Sequence, residues 1–339
     1  MLTTILAAIF VFGVLVTVHE FGHFITAKLT GMRVDEFAVG FGPKIYQTKQ
    51  GDTTYSLRAI PLGGYNKIAG MDPEEGYVAD GFMAKPLPSR MLVILAGSLM
   101  NFILPIILFF GIFVLNGIDK PTNDNVIGDV IAGKPAAVAG ILAGDKVIAI
   151  NGESVAAFDE MVKELAKYPN KEVNFSVERN GELREYQIKT EFNEEYQRPL
   201  IGVYPKFIKE QVSIGKAAEL SVVYTKNIMQ AMLVGLTKIV TGSAPADVSG
   251  PIGVAQMAGK VAEQGIMQLL NFVALLSINL GIMNLLPIPA LDGGHFIVLC
   301  VEAVRGKPLN PRIMNYIQMV GFSIILAIMF IATFMDLSK

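Results

Sequence analysis

Tryptophan is absent from this 339-residue chain, cysteine occurs once, histidine occurs three times, and charged residues make up only 17% of it. A single cysteine excludes an intrachain disulfide and a structural zinc site of the usual cysteine-rich kind. The net charge of −2 gives no indication of a nucleic-acid partner. Charge is also missing from four long apolar runs, which are residues 1–18, 91–118, 266–291 and 313–335.

The four charge-free runs predict the fold class. A helix needs about 20 apolar residues to cross a bilayer, and the first run reaches that length because it continues to about residue 27. We therefore expect a multi-pass α-helical membrane protein with four transmembrane helices, for which the lipid bilayer is a partner. The first run has no basic start, so we expect a retained helix rather than a cleaved signal peptide.

All three histidines lie in two short motifs that follow charge-free runs. In the first, His19-Glu20-Phe21-Gly22-His23, the histidines are four residues apart and share one face of a helix. Two neutral imidazoles at this spacing can hold one Zn²⁺, and Glu20 can take a proton from a water in the open position of the metal. The motif predicts metal-assisted hydrolysis, with His19 and His23 as ligands and Glu20 as the catalytic base; chance spacing is the alternative.

The second motif, Leu291-Asp292-Gly293-Gly294-His295, offers the further protein ligand that two histidines leave missing. Asp292 follows a charge-free run, where a carboxylate is costly unless it is paired, hydrated or bound to metal. We predict that Asp292 is the third ligand; a helix cap or an interface residue is the alternative. We expect His295 beside the site rather than on the metal, because three protein ligands and a water complete the coordination of zinc.

These two motifs resemble those of the site-2 protease family of intramembrane zinc metalloproteases. Residues 284–294 extend the resemblance, and residues 40–43, 61–65 and 249–253 resemble patterns of the bacterial regulator-of-sigma-E proteases within that family. The resemblance covers the chain from end to end. One departure is that a single PDZ-like segment is present, where Gram-negative members usually carry two.

The resemblance implies a zinc metalloendopeptidase and a class of substrates. Such an enzyme hydrolyses peptide bonds within the transmembrane segments of single-pass membrane proteins that have been trimmed on the outer side. Anti-sigma factors and remnant signal peptides are examples, and the process is regulated intramembrane proteolysis. The alternatives are a metal transporter and a catalytically inactive membrane PDZ scaffold. An embedded Glu20 and a PDZ-like ectodomain count against the transporter, and an intact Glu20 and Asp292 count against the scaffold.

Substrate contact is predicted for the segment that precedes Asp292. Pro287 and Pro289 lack N–H donors and disrupt a regular helix, so carbonyls freed near Pro287 and the amide of Asn284 can meet a substrate backbone. The resemblance implies the same role for Asn284. Packing of Asn284 against a neighbouring helix is the alternative.

Residues 33–68 have the alternating apolar pattern of strands, with a turn at residues 50–52. We expect a β-hairpin or small sheet whose edge holds an unwound substrate by strand addition, or which serves only as a structural plug of the cavity. Four glycines in it permit a close approach of backbone in either case; they are Gly40, Gly42, Gly63 and Gly64.

Residues 120–206 have the pattern of a soluble α+β module that resembles bacterial PDZ domains. Asn180-Gly181 predicts a hairpin between residues 173–179 and 183–188. A PDZ groove accepts an extended peptide by strand addition, so we expect recognition or size-filtering of substrate ectodomains; a groove that binds nothing is the alternative. Beyond the module, apolar residues at helical spacing from Leu220 to Leu236 predict an amphipathic helix at the outer membrane surface.

Loop charge predicts the orientation. Residues 28–90 carry eight lysines and arginines and residues 296–312 carry three, and basic short loops favour the cytoplasm. We expect a protein of the bacterial cytoplasmic (inner) membrane with both termini outside. The predicted order is transmembrane helix 1 with the zinc motif (1–27), a cytosolic membrane-associated β region (28–90), transmembrane helix 2 (91–117), an extracytoplasmic PDZ domain (118–207), an amphipathic helix and loop (208–265), transmembrane helix 3 with the aspartate ligand (266–295), a cytosolic loop (296–312) and transmembrane helix 4 (313–335).

Overall fold

The computed structural model describes residues 1–72, 75–194, 196–243 and 249–338, without the side chains of residues 61 and 62. The chain divides into two compact units, one formed by Met1–Leu115 with Ser213–Lys339 and the other by Asn116–Val212. We term them the membrane unit and the PDZ-like unit. Three predicted segments lie partly outside the described residues: the β region 28–90 at residues 73–74, the PDZ domain 118–207 at residue 195, and the amphipathic helix and loop 208–265 at residues 244–248.

The membrane unit begins with two long helices that flank a pair of strands. They are α1 (Leu2–Leu29), β1 (Val34–Gln50), β2 (Thr53–Ile68) and α2 (Leu87–Asn116), with a short 3₁₀ turn at Phe82–Ala84. The helices cross closely at small residues, since a Cβ atom on Gly22 would lie only 2.3 Å from the carbonyl oxygen of Ala96. This crossing brings the turn of α1 that carries both histidines against α2.

Strand β1 is paired on both sides over part of its length. Residues 36–39 pair with residues 64–67 on one side and with residues 54–57 on the other, while residues 44–50 continue the pairing around the turn. The two strands therefore form a small sheet with residues 64–68 at one edge. Gly40 and Gly42 lie where β1 changes direction, at φ angles of +90° and +81° that favour glycine.

The PDZ-like unit is enclosed by a pair formed from its first and last strands, β3 (Ile118–Pro121) and β12 (Phe207–Glu210). Strands β5, β6, β7 and β8 form a four-stranded sheet in the order β6-β5-β7-β8. Its buried core includes Ile150, Met161 and Phe175. The elements between β3 and β12 are β4 (Ile127–Val130), α3 (Pro135–Ala139), β5 (Lys146–Ile150), β6 (Glu153–Ser154), α4 (Phe158–Leu165), β7 (Glu172–Arg179), β8 (Glu182–Lys189), β9 (Glu191–Asn193), β10 (Arg198–Leu200) and β11 (Val203–Pro205).

The hairpin predicted at Asn180-Gly181 is confirmed. Strands β7 and β8 pair in register up to Arg179 opposite Glu182. Both turn residues have positive φ angles, 55° and 82°, which is the conformation that a two-residue type I′ turn requires and that this dipeptide adopts readily.

The membrane unit ends with five helices, which are α5 (Ile214–Val240), α6 (Pro251–Gln264), α7 (Ile266–Asn284), α8 (Asp292–Arg305) and α9 (Pro311–Ser338). In the described part of the chain, α1, α2, α7 and α9 are long and apolar enough to cross a membrane. The predicted fold class is confirmed as a multi-pass helical membrane protein with four candidate spans, a β-hairpin region and an inserted α+β module. The amphipathic stripe belongs to α5, where Ile228, Met232 and Leu236 pack against a core that includes Phe109 and Ile278.

Helical structure extends into two segments for which the sequence predicts loops. Helix α8 continues to Arg305, so much of the expected loop 296–312 is helical. Helix α6 occupies much of the expected loop that ends at residue 265, with Pro251 in its first turn. The carboxylate of Asp336 on α9 accepts the N–H groups of Gly250 and Gly253 at 3.0 and 2.7 Å. This cap comes from a residue more than 80 positions away, so local pattern does not reveal it.

Helices α7 and α8 are separate elements, because the chain leaves helical geometry between Asn284 and Asp292. The two prolines predicted to disrupt a helix lie in this break. Its tight folding depends on glycines at the start of α8, since Cβ atoms on Gly293 and Gly294 would each lie 2.3 Å from carbonyl oxygens of the break. Asp292 is therefore in the first turn of α8 rather than at the end of a continuous third span.

Candidate metal centre

Three side chains from two distant parts of the sequence converge beside α2. His19 and His23 point from one face of α1 with their Nε2 atoms 3.2 Å apart. The Asp292 carboxylate reaches them from α8, with Oδ2 3.6 Å from His19 Nε2 and Oδ1 3.5 Å from His23 Nε2. Ligands at 2.0–2.1 Å from a tetrahedral zinc would lie about 3.3–3.4 Å from one another. The donor set and its spacing therefore fit a zinc ion.

Each histidine has a second polar contact that orients its ring. His23 Nδ1 donates to the carbonyl of Val93 at 2.8 Å, which leaves Nε2 unprotonated in the neutral ring and free to bind a metal. His19 Nδ1 lies 3.2 Å from the side-chain amide of Asn101 and 3.5 Å from that of Asn284. In both contacts the amide nitrogen faces His19 Nδ1. Turning over the Asn101 amide would place its Oδ1 there to accept Nδ1–H, and His19 Nε2 would then be free as well.

Helix α2 forms one wall of the cluster through residues that sequence reasoning missed. Ser98 Oγ donates to Asp292 Oδ2 at 2.8 Å, and Asn101, fully buried, accepts from Ser277 Oγ through its backbone carbonyl at 2.7 Å. Gly97 leaves room for the imidazoles, since a Cβ there would lie 2.2 Å from His23 Nε2. Gly97, Ser98 and Asn101 share a turn of helix, and their only sequence signal is a small and polar patch within an uncharged span.

Glu20 occupies the same site from the next position on α1. The side-chain nitrogen of Asn66 donates to Glu20 Oε2 at 2.7 Å and to the Glu20 carbonyl at 2.5 Å. Gly64 lies alongside, because a Cβ there would be 3.4 Å from Glu20 Cγ. The edge of the small sheet therefore lies against the residue predicted to be the base.

These groups open onto a cavity of about 310 Å³. It is lined by α1, by α2, by the sheet edge with Met71 beyond it, and by the break together with the start of α8. The lining residues are His19, Glu20, His23, Tyr65, Asn66, Ile68, Met71, Val93, Ile94, Asn284, Ala290, Leu291, Asp292 and His295. A titratable carboxylate, a potential metal cluster and space for a substrate thus share one chamber, which is the arrangement needed for hydrolysis.

An ionic network fixes Tyr65 at the rim of this cavity. Arg58 Nη2 donates to Tyr65 Oη at 2.5 Å and to Glu36 Oε1 at 3.0 Å, and Ser56 donates to the same Glu36 oxygen at 2.6 Å. Burial raises the pKa of Glu36, but the hydrogen bonds from Ser56, Tyr65 and Arg58 outweigh burial and lower the pKa to about 2. Glu36 is therefore charged at neutral pH, and the network stays intact under physiological conditions.

The other predicted site residues divide into two groups. Asn284 and His295 line the cavity, and His295 also lines an adjoining chamber of about 350 Å³ beside the buried Arg90–Glu302 ion pair. Pro287 lies in the break and is not among the cavity-lining residues that the structure describes. Gly40, Gly42 and Gly63 form close contacts within the hairpin, against Ile60 or Phe41. Of the four predicted glycines, the structure brings Gly64 to the site.

Comparison with known proteins gives matches over nearly the whole chain. Residues 7–328 match peptidase family M50. The chain is 34% identical to the zinc metalloprotease RasP of Geobacillus kaustophilus, covering 100% of this chain and 98% of that protein. It is 30% identical to the regulator of sigma-W protease RasP of Bacillus subtilis, with 99% and 98% covered. A PDZ domain of an SdrC-like protein from Listeria monocytogenes is 18% identical, with 26% of this chain and 93% of that domain covered and a TM-score of 0.23.

Proposed function

The chain belongs to peptidase family M50, and from this premise we propose that Glu20 and the cluster of His19, His23 and Asp292 form its catalytic centre. The protein is an intramembrane zinc metalloprotease. The observation that carries the assignment of residues is the convergence of the three potential ligands, whose ligand atoms all lie within 4.8 Å of one another. Glu20 adjoins them in the same cavity.

In this proposal His19, His23 and Asp292 hold the zinc. When bound, the zinc supplies the Lewis acidity that activates water and polarises the scissile carbonyl. Glu20 accepts the proton that the attacking water loses and returns it to the amine as the C–N bond breaks. Val93, Ser98 and Asn101 keep the ligands oriented through their hydrogen bonds.

The substrate is a membrane protein, and we propose that its transmembrane segment unwinds to bind beside Glu20. Peptide bonds in a helix are already hydrogen-bonded, so an extended strand is the form that a peptidase can cut. Residues 64–68 supply a sheet edge against α1, and strand addition there would hold the extended segment. Asn284 also lines the cavity and offers an amide to the same backbone.

We further propose that the substrates are single-pass proteins trimmed beforehand on the outer side, such as anti-sigma factors, or leftover signal peptides. The name of the relative from Bacillus subtilis links that protein to regulation of sigma-W. A cavity of about 310 Å³ has room for a few residues of an extended chain, not for a folded domain. A large ectodomain therefore has to be removed, or held outside the membrane, before the segment reaches Glu20.

The test of this function is zinc-dependent cleavage of a peptide that carries one transmembrane segment and no ectodomain. Purified protein in detergent should contain one zinc per chain and should cut the peptide within its apolar stretch. Removal of zinc by a chelator should reduce cleavage to background, and added zinc should restore it. Zinc-independent cleavage, or no cleavage by zinc-loaded protein, would contradict the proposal.

We propose that both termini and the PDZ-like unit lie outside the cell and that this unit binds ectodomain peptides. The orientation is supported by the basic residues of segments 28–90 and 296–312. Peptide binding is supported by a cavity of about 490 Å³ that is lined by α4, through Phe158, Met161 and Leu165, and by strands β9, β10 and β11.

A labelled extended peptide added to intact protoplasts tests both statements. Binding should be saturable and should disappear when residues 118–207 are deleted. Binding that appears only after the cells are opened would reverse the orientation. If the peptide does not bind in opened cells either, the proposal that the PDZ-like unit binds ectodomain peptides is wrong.

A further inference from the structure

We propose that Asn66 is a positioning residue for Glu20, which aims the carboxylate into the catalytic cavity from the edge of the hairpin sheet. The inference deepens the proposed function and rests on it. Nothing in the zinc motif itself indicates this residue, because Asn66 is 46 positions away from Glu20 in sequence.

The side-chain amide of Asn66 donates hydrogen bonds to two acceptors, both of them on Glu20. Asn66 Nδ2 has two hydrogens; one is directed at Glu20 Oε2, 2.7 Å away, and the other at the Glu20 carbonyl, 2.5 Å away. Two bonds from a single nitrogen fix the side chain of Glu20 relative to its own backbone. They also tie that turn of α1 to the sheet edge.

The contact leaves the carboxylate able to act as a base. In the part of the chain that the structure describes, Asn66 is the only donor to the Glu20 carboxylate, and it bonds to Oε2. The other oxygen keeps its lone pairs for water. A hydrogen bond to a charged acceptor inside a protein is strong and directional, so the loss of the Asn66 amide would let the carboxylate turn away from the reacting atoms.

The position of Asn66 links substrate binding to this orientation. Asn66 lies opposite Phe37 in the sheet, in the edge segment where we propose that the substrate strand adds. Its neighbours Tyr65 and Ile68 line the same cavity. A substrate held along this edge is therefore held in register with the group that orients the base.

Three substitutions separate positioning from a structural role. Asn66→Asp keeps the shape of the side chain but replaces the donor by a second carboxylate beside Glu20. Asn66→Val removes the donor with a residue suited to a strand. Asn66→Gln keeps the amide on a longer stem. A structural role would make the Asp variant, the closest in shape, the mildest of the three.

We expect kcat to fall by roughly 10- to 100-fold in the Asp and Val variants, with the larger loss for Asp, and to recover partly in the Gln variant. KM should stay within about twofold of wild type, because strand addition uses the backbone of the edge and not the Asn66 side chain. Zinc should remain at one per chain, because the ligands do not change. Binding of a peptide hydroxamate, which gives a proton to the base, should weaken in the same order as kcat. Lys49→Gln, at an exposed position on the opposite edge of the same sheet, is the control and should match wild type.

Wild-type kcat in both the Asp and Val variants would overturn the inference. So would losses that follow zinc content or KM instead of kcat, because these indicate a structural contact. A wild-type protein without zinc-dependent cleavage would overturn the proposed function and this inference together. If wild type shows zinc-dependent cleavage and the Asn66 variants cleave equally well, the inference is wrong but the proposed function stands.

Discussion

Substitution Glu20→Gln should reduce peptide cleavage by roughly a thousandfold or more while zinc remains at one per chain. Glutamine has nearly the same shape and still offers an oxygen to the amide of Asn66, but it cannot accept a proton from water at neutral pH. General base catalysis by a positioned side chain is worth about 10²–10⁴-fold. Because the same carboxylate also returns the proton to the leaving amine, we expect the loss at the upper end of this range.

The measurement is cleavage of the single-segment peptide together with metal analysis of the same preparation. Glu263→Gln, the same chemical change at an exposed position on α6, is the control and should cleave at the wild-type rate. Normal turnover by zinc-loaded Glu20→Gln protein would remove Glu20 from the mechanism. Loss of zinc from this variant would instead assign Glu20 a role in holding the metal.

Much of the site could be predicted from sequence because its chemistry uses rare residues. Three histidines in the whole chain, two of them at helical spacing around Glu20, leave few ways to build a zinc site. The setting of Asp292, a charge at the end of a long uncharged run, predicts that it is a ligand. The structure brings these four side chains into one cavity.

The supporting residues could not be predicted in this way, because their types are ordinary in membrane helices. Ser98 and Asn101 look like packing residues of α2 until Asp292 and His19 are placed beside them. Asn66 is a polar residue in a strand until the register of the sheet puts it against Glu20. Each depends on a contact between distant segments, which no local pattern encodes.

The fold shows the same division. Hydropathy and length predict the four candidate spans, and Asn180-Gly181 predicts its hairpin, because both depend on local physics. Helix α6 is missed because its N-terminus is capped by Asp336 from α9. The sequence does not predict that β1 pairs on both sides, because an alternating apolar pattern indicates a strand but not which strands lie next to it.

Gly97 has no functional side chain, but its substitution is expected to have a large effect on zinc binding and cleavage. It lies where α2 passes the two histidines, and an added Cβ would be 2.2 Å from His23 Nε2 and 2.7 Å from His19 Cε1. Neither imidazole can retreat easily. His23 is bonded to Val93 on the same helix, and the backbones cannot separate freely because Gly22 packs on Ala96.

Substitution Gly97→Ala should therefore weaken zinc binding by at least about 100-fold and abolish cleavage. Loss of an outer-shell contact typically costs a metal site 10–100-fold in affinity, and this change displaces the ligands themselves. Gly111→Ala, on the same helix with no atom within 4 Å of the new Cβ, is the matched control and should keep zinc and activity, since alanine is the better helix former. Metal analysis and thermal unfolding of both variants make the comparison. A folded Gly97→Ala protein with full zinc would show that the histidines do not meet the metal against this face of α2, and the ligand assignment would fail with it.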